Sequence, residues 1–175
     1  MADRHGLLMI HTGEGKGKTS AALGLALRAW GAGLRVSILQ FVKQRETGEH
    51  RAVARIASPD LEIELLGTGF VFQAPPAAEA VAAARRALEA ARARLTGGRF
   101  DLVILDEIFS ALAAGLVTEA EIVALADLRP ATVHLLLTGC GAPAALVERA
   151  DLVTEMRNVK HPFDRGVEAQ AGIEF

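Results

Sequence analysis

Six short apolar runs, separated by segments compatible with helix, constrain the fold of this chain more than any other feature. The runs are LLMIH (7–11), RVSILQF (35–41), LEIELL (61–66), DLVILD (101–106), TVHLLLT (132–138) and DLVTEM (151–156). Several are apolar on both faces, as strands are when helices cover both sides of a parallel sheet. The clearest helical segments are 18–31, 77–95 and 118–128. The alternation predicts an α/β domain with a mostly parallel sheet of about six strands, right-handed crossovers and helices on both faces.

The Ala-rich segment 77–95 is predicted to be one amphipathic helix and not a low-complexity tract. Alanine is the strongest helix former, and apolar side chains recur here at a spacing of three to four residues. That stripe comprises Val81, Ala84, Leu88, Ala91 and Leu95. Arg85, Glu89 and Arg92 suit a solvated face with ion pairs. We favour this interpretation over a nucleic-acid surface because the chain has a net charge of -2.

Composition indicates one globular domain over residues 1–175. Hydrophobic residues make up 51% and charged residues 23% of the chain, which is not the balance of a disordered protein. The net charge gives no electrostatic case for a nucleic-acid or membrane-surface partner. No run approaches the ~18 apolar residues of a membrane span, and the first residues lack a signal-peptide core. Cys140 is the single cysteine, so we expect a reducing compartment, the cytoplasm.

A glycine-rich stretch, TGEGKGKT (12–19), lies between the first predicted strand and the first predicted helix. That is the context a Walker A phosphate loop requires, although Thr12 replaces the usual first glycine. Loop amides and the helix N-terminus would bind phosphate, Lys18 would place its ammonium there, and Thr19 would ligate Mg²⁺. Glu14 is an unusual neighbour for phosphate unless it faces ribose or solvent. The predicted nucleotide-binding residues here are Gly13, Glu14, Gly15, Lys16, Gly17, Lys18, Thr19 and Ser20.

The run LVILDE places Asp106 and Glu107 at the end of a predicted strand. This is the Walker B arrangement, in which a carboxylate reaches Mg²⁺ directly or through water. Ligand crevices of parallel sheets lie at the carboxyl ends of strands, so the run and the loop should meet. Together they predict a site for ATP with Mg²⁺ or Mn²⁺, with Thr19, Asp106 and Glu107 as metal ligands. They leave the reaction open: a hydrolase or kinase cutting the γ-phosphate would use Glu107 or Thr138 to position water or a hydroxyl.

Four stretches of the sequence, the first of which contains the phosphate loop, resemble one known family. The resemblance covers the chain from about residue 7 to its last residue. The stretches are TGEGKGKTSAALGLALRAWGAGLRVSILQFVK, DLVILDEI, LLLTGCGAP and ADLVTEMRNVKHPFDRGVEAQAGIEF. The sequence resembles the ATP:corrinoid adenosyltransferases of the bacterial cobalamin pathway. The resemblance implies a RecA-like P-loop fold, a homodimer, and ATP and a reduced corrinoid as substrates. It leaves cobalamin and cobyrinic acid diamide as alternatives for the corrinoid, and a flavoprotein reductase as a candidate partner.

The implied chemistry differs from that of most phosphate loops. In this family cobalt(I) attacks the 5′ carbon of ATP, and the triphosphate departs whole as tripolyphosphate. Because cobalt is the nucleophile, the protein needs no activated serine, cysteine or lysine; it must neutralise the leaving group and align the reactants. Lys18 and Glu107 are the implied catalytic residues. Lys16, the loop amides, and a metal ion on Thr19 and Glu107 or Asp106 would assist them.

Outside the phosphate site, the resemblance implies roles for Phe70 and Phe72, which would crowd the lower corrin face unless they are core residues. It matches Arg28 to a family pattern, either on the surface of the first helix or at the ribose end of the site. Cys140 is predicted to be a packing residue and not a catalytic thiol. His161 is predicted to cap or stabilise the last segment and not to bind cobalt.

Two non-enzymatic hypotheses stay open on the residues alone. One is a nucleotide or corrinoid carrier without turnover, and the other, less favoured, is a RecA-like DNA-binding module.

Overall fold

The computed structural model describes residues 5–69 and 76–175. These residues form six strands and six α-helices, with one helix between successive strands except for two between the fourth and fifth, and a short 3-10 helix near the end. The strands are β1 (Leu8–Thr12), β2 (Val36–Gln40), β3 (Leu61–Leu65), β4 (Leu102–Asp106), β5 (His134–Thr138) and β6 (Leu152–Glu155). The helices are α1 (Lys18–Gly31), α2 (Gly48–Ile56), α3 (Ala78–Thr96), α4 (Ile108–Ala113), α5 (Glu119–Leu128) and α6 (Ala144–Arg149), followed by the 3-10 helix η1 (Pro162–Arg165).

All six strands form one parallel sheet in the order β3-β2-β4-β5-β1-β6. The predicted parallel α/β architecture is therefore confirmed. β1 lies between β5 and β6, so the strand nearest the start of the chain is flanked by the last two. Its first residue is also fixed from that side, because the Leu8 amide donates a hydrogen bond of 2.7 Å to Asp151 Oδ2 across a sequence separation of 143 residues.

Apolar side chains fill both faces of the sheet. On one face, α1 contributes Ala22, Ala26 and Ala29 to a core with the inward residues of β2 and β4, and α2 packs at its edge. On the other face, the helices from α3 to α6 cover a larger core that includes Leu95, Phe109 and Ile122. Since both faces are covered, β2 and β4 are buried along their whole length, which explains their continuous apolar runs.

The helix α3 follows the predicted segment, with its buried stripe shifted by a few positions. Ala80, Ala83 and Ala87 are buried with the predicted Ala84, Ala91 and Leu95, whereas Val81 and Leu88 are only partly buried. Small alanines at the centre of the contact let the helix lie close to the sheet. On its solvated face, Arg85 forms an ion pair with Glu121 of α5.

Three short helices, α2, α4 and α6, were not predicted. Each has nine residues or fewer and follows a strand directly or after a brief loop, so it offers little periodic signal. The predicted capping role of His161 is confirmed: its Nδ1 accepts a hydrogen bond of 3.1 Å from the Phe163 amide at the start of η1. None of the helices within the described ranges has the length and apolar character needed to cross a membrane.

Candidate nucleotide site

The loop between β1 and α1 curls around the side chain of Lys18. Gly13 and Gly17 both adopt positive φ angles, 93° and 112°, that favour glycine. Lys18 begins α1 and is 8% exposed. Its Nζ donates hydrogen bonds of 2.7 Å to the Gly13 carbonyl and 2.8 Å to the Gly15 carbonyl. The ammonium is therefore fixed inside the curl, beside amides that can receive an anion.

The outer side of the loop lies against the residues that follow β6. The Gly15 amide donates a hydrogen bond of 2.7 Å to the Met156 carbonyl, and the Met156 amide donates one of 2.8 Å to the Thr12 carbonyl. A Cβ atom added at Gly13 would lie 2.4 Å from the Met156 carbonyl oxygen. Glycine is thus required at Gly13 by the backbone angle and by the close approach of a second segment.

Gly13→Ala is expected to lower the free energy of unfolding by about 2 kcal/mol or more, through left-handed strain and overpacking against Met156. Urea unfolding followed by circular dichroism measures the change. Gly24→Ala is the matched control, since Gly24 lies within α1 with nothing within 4 Å of an added Cβ. That control should be neutral or more stable by about 0.5–1 kcal/mol. Equal effects of the two substitutions would contradict the inferred contact.

Asp106 is a buried hub behind the loop, 1% exposed at the end of β4. Its Oδ1 accepts hydrogen bonds from Thr19 Oγ1 at 2.9 Å and from Thr138 Oγ1 at 2.8 Å. Its Oδ2 accepts one from Gln40 Nε2 at 2.9 Å. The carboxylate thus joins α1, β2 and β5 to β4. Gln40 was not among the predicted site residues. The signal for it in the sequence was a polar residue at the end of a buried apolar run.

Glu107, next in the chain, has a different environment. Its backbone is left-handed, with φ 60°, which is uncommon for a residue with a side chain and costs of order 1–3 kcal/mol. The Glu107 amide donates to Thr138 Oγ1 at 2.9 Å, and its carboxylate accepts a hydrogen bond from Ser110. The strained turn separates two adjacent acidic residues: Asp106 is enclosed by donors, and Glu107 lines a cavity in front of the loop.

The oxygen-bearing side chains here have the chemistry to hold a hard divalent ion. Thr19 and Glu107 line the same cavity, and the Asp106 carboxylate contacts the Thr19 hydroxyl, so one hydroxyl and two carboxylates lie in or next to its wall. Within residues 5–69 and 76–175, no group of three or more His, Cys, Asp or Glu side chains forms a metal site on its own. Mg²⁺ in nucleotide sites takes one or two carboxylates, and substrate phosphates and water complete its shell. The donor set therefore matches Mg²⁺, or Mn²⁺, bound together with phosphates.

The cavity in front of the loop has a volume of about 820 Å³. This volume lies within the range of about 300–1,000 Å³ typical of small-molecule sites. One wall is formed by residues 43–45 and 47–49, which lead from β2 into α2, and Gly69 lies beside them. In that wall Lys43 Nζ lies 2.5 Å from Glu49 Oε1. Burial opposes ionisation of the Glu49 carboxyl, but hydrogen bonds from Lys43 and Thr47 outweigh it and lower its pKa to about 2.

The remaining wall is formed by Gly172–Phe175, which we call the strap. The strap is linked to the phosphate loop by an ion pair between Glu174 and Lys16. Sequence reasoning did not assign these residues to the site. The available signal was that GIEF ends one of the stretches that resemble the known family.

The structure brings most of the predicted phosphate-site residues together around this cavity. Those lining it are Glu14, Gly15, Lys16, Gly17, Lys18, Thr19, Ser20 and Glu107, with Gly13 and Asp106 directly behind. Arg28 is an exception: it is exposed in the last turn of α1, about 15 Å along the helix from Lys18. Phe70 and Phe72 lie outside the described residues, immediately after Gly69. Cys140 is half-buried behind the loop, with Sγ 3.4 Å from the Gly13 carbonyl.

Comparison with known families and proteins gives one consistent result over almost the whole chain. Residues 4–175 match the model of the family described as ATP:corrinoid adenosyltransferase BtuR/CobO/CobP. A corrinoid adenosyltransferase of Pseudomonas aeruginosa is 37% identical over 99% of this chain and 85% of its own length. One from Sinorhizobium is 38% identical (99% and 82%), and one from Escherichia coli K12 is 35% identical (99% and 87%).

Among solved structures the likeness is one of fold. The RadB recombinase superimposes with a TM-score of 0.52 at 17% identity, covering 90% of this chain and 77% of that protein. A KaiC-like protein of Pyrococcus horikoshii gives a TM-score of 0.52 at 18% identity, covering 86% and 73%. The fold is thus RecA-like.

Proposed function

This chain belongs to the family of ATP:corrinoid adenosyltransferases, and we propose that its phosphate loop holds the triphosphate of ATP as a leaving group that departs intact. The chain is a transferase that adenosylates corrinoids at the expense of ATP. A triphosphate that departs whole takes all of its negative charge with it, so the loop must bind the entire group and not only its last phosphate.

In the reaction, the electron pair of cobalt(I) in the reduced corrinoid forms a bond to C5′ of ATP. The bond from C5′ to the phosphate oxygen breaks, and its electron pair leaves with tripolyphosphate. No protein nucleophile is needed. The residues therefore act on the leaving group, where negative charge accumulates as the bond breaks.

The observation that carries this proposal is the fixed ammonium of Lys18 inside the curl of the loop, at 2.7 and 2.8 Å from two loop carbonyls. A cation held in advance by the backbone stabilises developing charge without reorganising during the reaction. Lys16, at the cavity edge and paired with Glu174, places a second positive charge beside the phosphates. The two lysines and the loop amides together offset the charge of tripolyphosphate.

We assign the metal to Thr19 and Glu107, with Asp106 orienting Thr19 from behind or ligating the ion directly. The close contact of Thr19 Oγ1 with Asp106 and the exposure of Glu107 to the cavity support this assignment. Bound there, Mg²⁺ or Mn²⁺ would neutralise charge on the phosphates. Asp106 fixes the Thr19 hydroxyl, and the turn at Glu107 directs its carboxylate toward the same space.

We further propose a cytoplasmic homodimer that receives cobalt(I) from a separate reductase, for which a flavoprotein is the candidate. The dimer is supported by β6, an edge strand on which Leu152 and Val153 are exposed. The compartment is supported by the single cysteine, Cys140. Sedimentation equilibrium tests the dimer, because a purified monomer at micromolar concentration would contradict it.

Incubation of the protein with MgATP and chemically reduced cob(I)alamin tests the proposed function. A light-sensitive adenosylcorrinoid spectrum, with tripolyphosphate in equal amount, is the expected result. ADP and phosphate without a cobalt–carbon bond would instead indicate an enzyme that cleaves the γ-phosphate. Binding of both ligands without any product would indicate a carrier.

A further inference from the structure

The strap exposes two apolar side chains at the mouth of a cavity whose other lining residues, apart from Leu23, are glycines or residues with polar or charged groups. Ile173 is 80% exposed and Phe175 is 50% exposed, and both line the cavity. Apolar surface facing water is unfavourable unless another apolar surface covers it. Both residues border the cavity whose wall includes the phosphate loop. A ligand bound at the loop is therefore in a position to cover them.

The strap is held in a defined position by contacts of its backbone and of Glu174. The Gly172 amide donates a hydrogen bond of 2.8 Å to the Phe175 carbonyl, and the Glu174 amide donates one of 2.8 Å to the Gln170 carbonyl. The Glu174 side chain, mostly buried, pairs with Lys16 of the phosphate loop. These contacts form a compact turn that is tied to the loop, with Ile173 and Phe175 on either side of the tie.

We propose that Ile173 and Phe175 form the wall against which the adenine of ATP packs. This inference rests on the proposed function and extends it from the triphosphate to the nucleoside. An aromatic ring offers a flat face to a base, and base–aromatic stacking is favourable whatever the base. Ile173 adds an aliphatic contact beside it. Glu174 keeps this wall next to the loop through Lys16, so Glu174 is a positioning residue and not a catalytic one.

Adenine is favoured over the corrin ring by covalent connection and by size. The adenosine is bonded to the triphosphate, so its base must lie near the loop to which the strap is tied. A cavity of about 820 Å³ accommodates a nucleotide within the usual range for one small ligand. A corrin with its side chains is much larger and would extend beyond that cavity.

The test compares two ligands that differ only by the adenosine. Isothermal titration of the whole protein with MgATP and with magnesium tripolyphosphate isolates the contribution of the nucleoside. Phe175→Ala should raise the Kd of MgATP at least about fivefold and leave the Kd of tripolyphosphate within about twofold. Phe163→Ala is the matched control, because Phe163 is an exposed phenylalanine of η1 outside the cavity. It should change neither Kd.

Glu174→Gln provides a second variant with a different signature. Loss of the ion pair frees Lys16 for phosphate and loosens the wall, so the ratio of the MgATP Kd to the tripolyphosphate Kd should rise. Three outcomes would overturn the proposal: equal losses for both ligands, no change in either Kd with Phe175→Ala, or an effect confined to the KM of the corrinoid. Since both ligands bind without turnover, failure of the wild-type protein to transfer adenosyl would refute the proposed function separately.

Discussion

Lys18→Ala is expected to lower kcat/KM for adenosyl transfer by at least about 10³-fold. The loss is large because Lys18 is the cation fixed inside the curl of the loop, and one preorganised donor to a developing charge is already worth about 10²–10³. Alanine also leaves the carbonyls of Gly13 and Gly15 without their donor, so they would repel phosphate. Initial rates of adenosylcobalamin formation at varied MgATP measure the effect.

The matched control for Lys18→Ala is Arg86→Ala, which removes the same charge from an exposed position of α3. Arg86→Ala should retain the wild-type rate, and both variants should keep the wild-type circular dichroism spectrum. A Lys18→Ala enzyme that retained more than a tenth of the wild-type kcat/KM would contradict the proposed role of the ammonium.

Asp106→Ala is expected to reduce the free energy of unfolding by about 3 kcal/mol or more, and to abolish transfer. The substitution leaves the buried donors of Gln40 and Thr138, and the half-buried hydroxyl of Thr19, without their acceptor. Each unsatisfied buried group costs about 1–3 kcal/mol. Without the carboxylate, Thr19 also loses the partner that orients its hydroxyl toward the phosphates. Urea unfolding and the adenosylation assay measure the two effects.

Asp127→Ala is the control for Asp106→Ala, because Asp127 is an exposed aspartate paired with Arg149 at 3.7 Å. A surface pair of this kind contributes about 0–1 kcal/mol. Adding Gln40→Leu to Asp106→Ala should restore part of the lost stability, since the variant no longer buries an unpaired amide. If Asp106→Ala and Asp127→Ala unfolded at the same urea concentration, Asp106 would not be a buried hub.

The sheet and the phosphate loop could be predicted because their signals are local. Buried parallel strands give continuous apolar runs, and the loop has glycines at positions where the backbone turns inward. Asp106 and Glu107 were found by the same logic, as polar residues that close such a run. The sequence could not predict that Asp106 is enclosed by donors while Glu107 lines the cavity. That difference depends on the left-handed turn at Glu107 and on the donors around Asp106.

The strap could not be predicted because its role depends on where a distant segment lies. Nothing in the period or composition of residues 172–175 indicates that they line the cavity at the loop. Arg28 was matched to a family pattern that left two places for it, the surface of the first helix and the ribose end of the site. It is exposed in the last turn of α1, because a helix advances about 1.5 Å per residue and carries it away from the loop.

The position of β1 between β5 and β6 has a consequence for how the protein is made. A ribosome adds roughly 5–20 residues per second, so the 143 residues from Leu8 to Asp151 take about 7–30 s to synthesise. Until β5 has been made, β2, β3 and β4 can pair with one another, whereas β1 has neither neighbour. The loop meanwhile lacks Met156 behind it. β1 thus joins the sheet late, and a nascent chain completes the contacts behind its phosphate loop only after Met156 has been made.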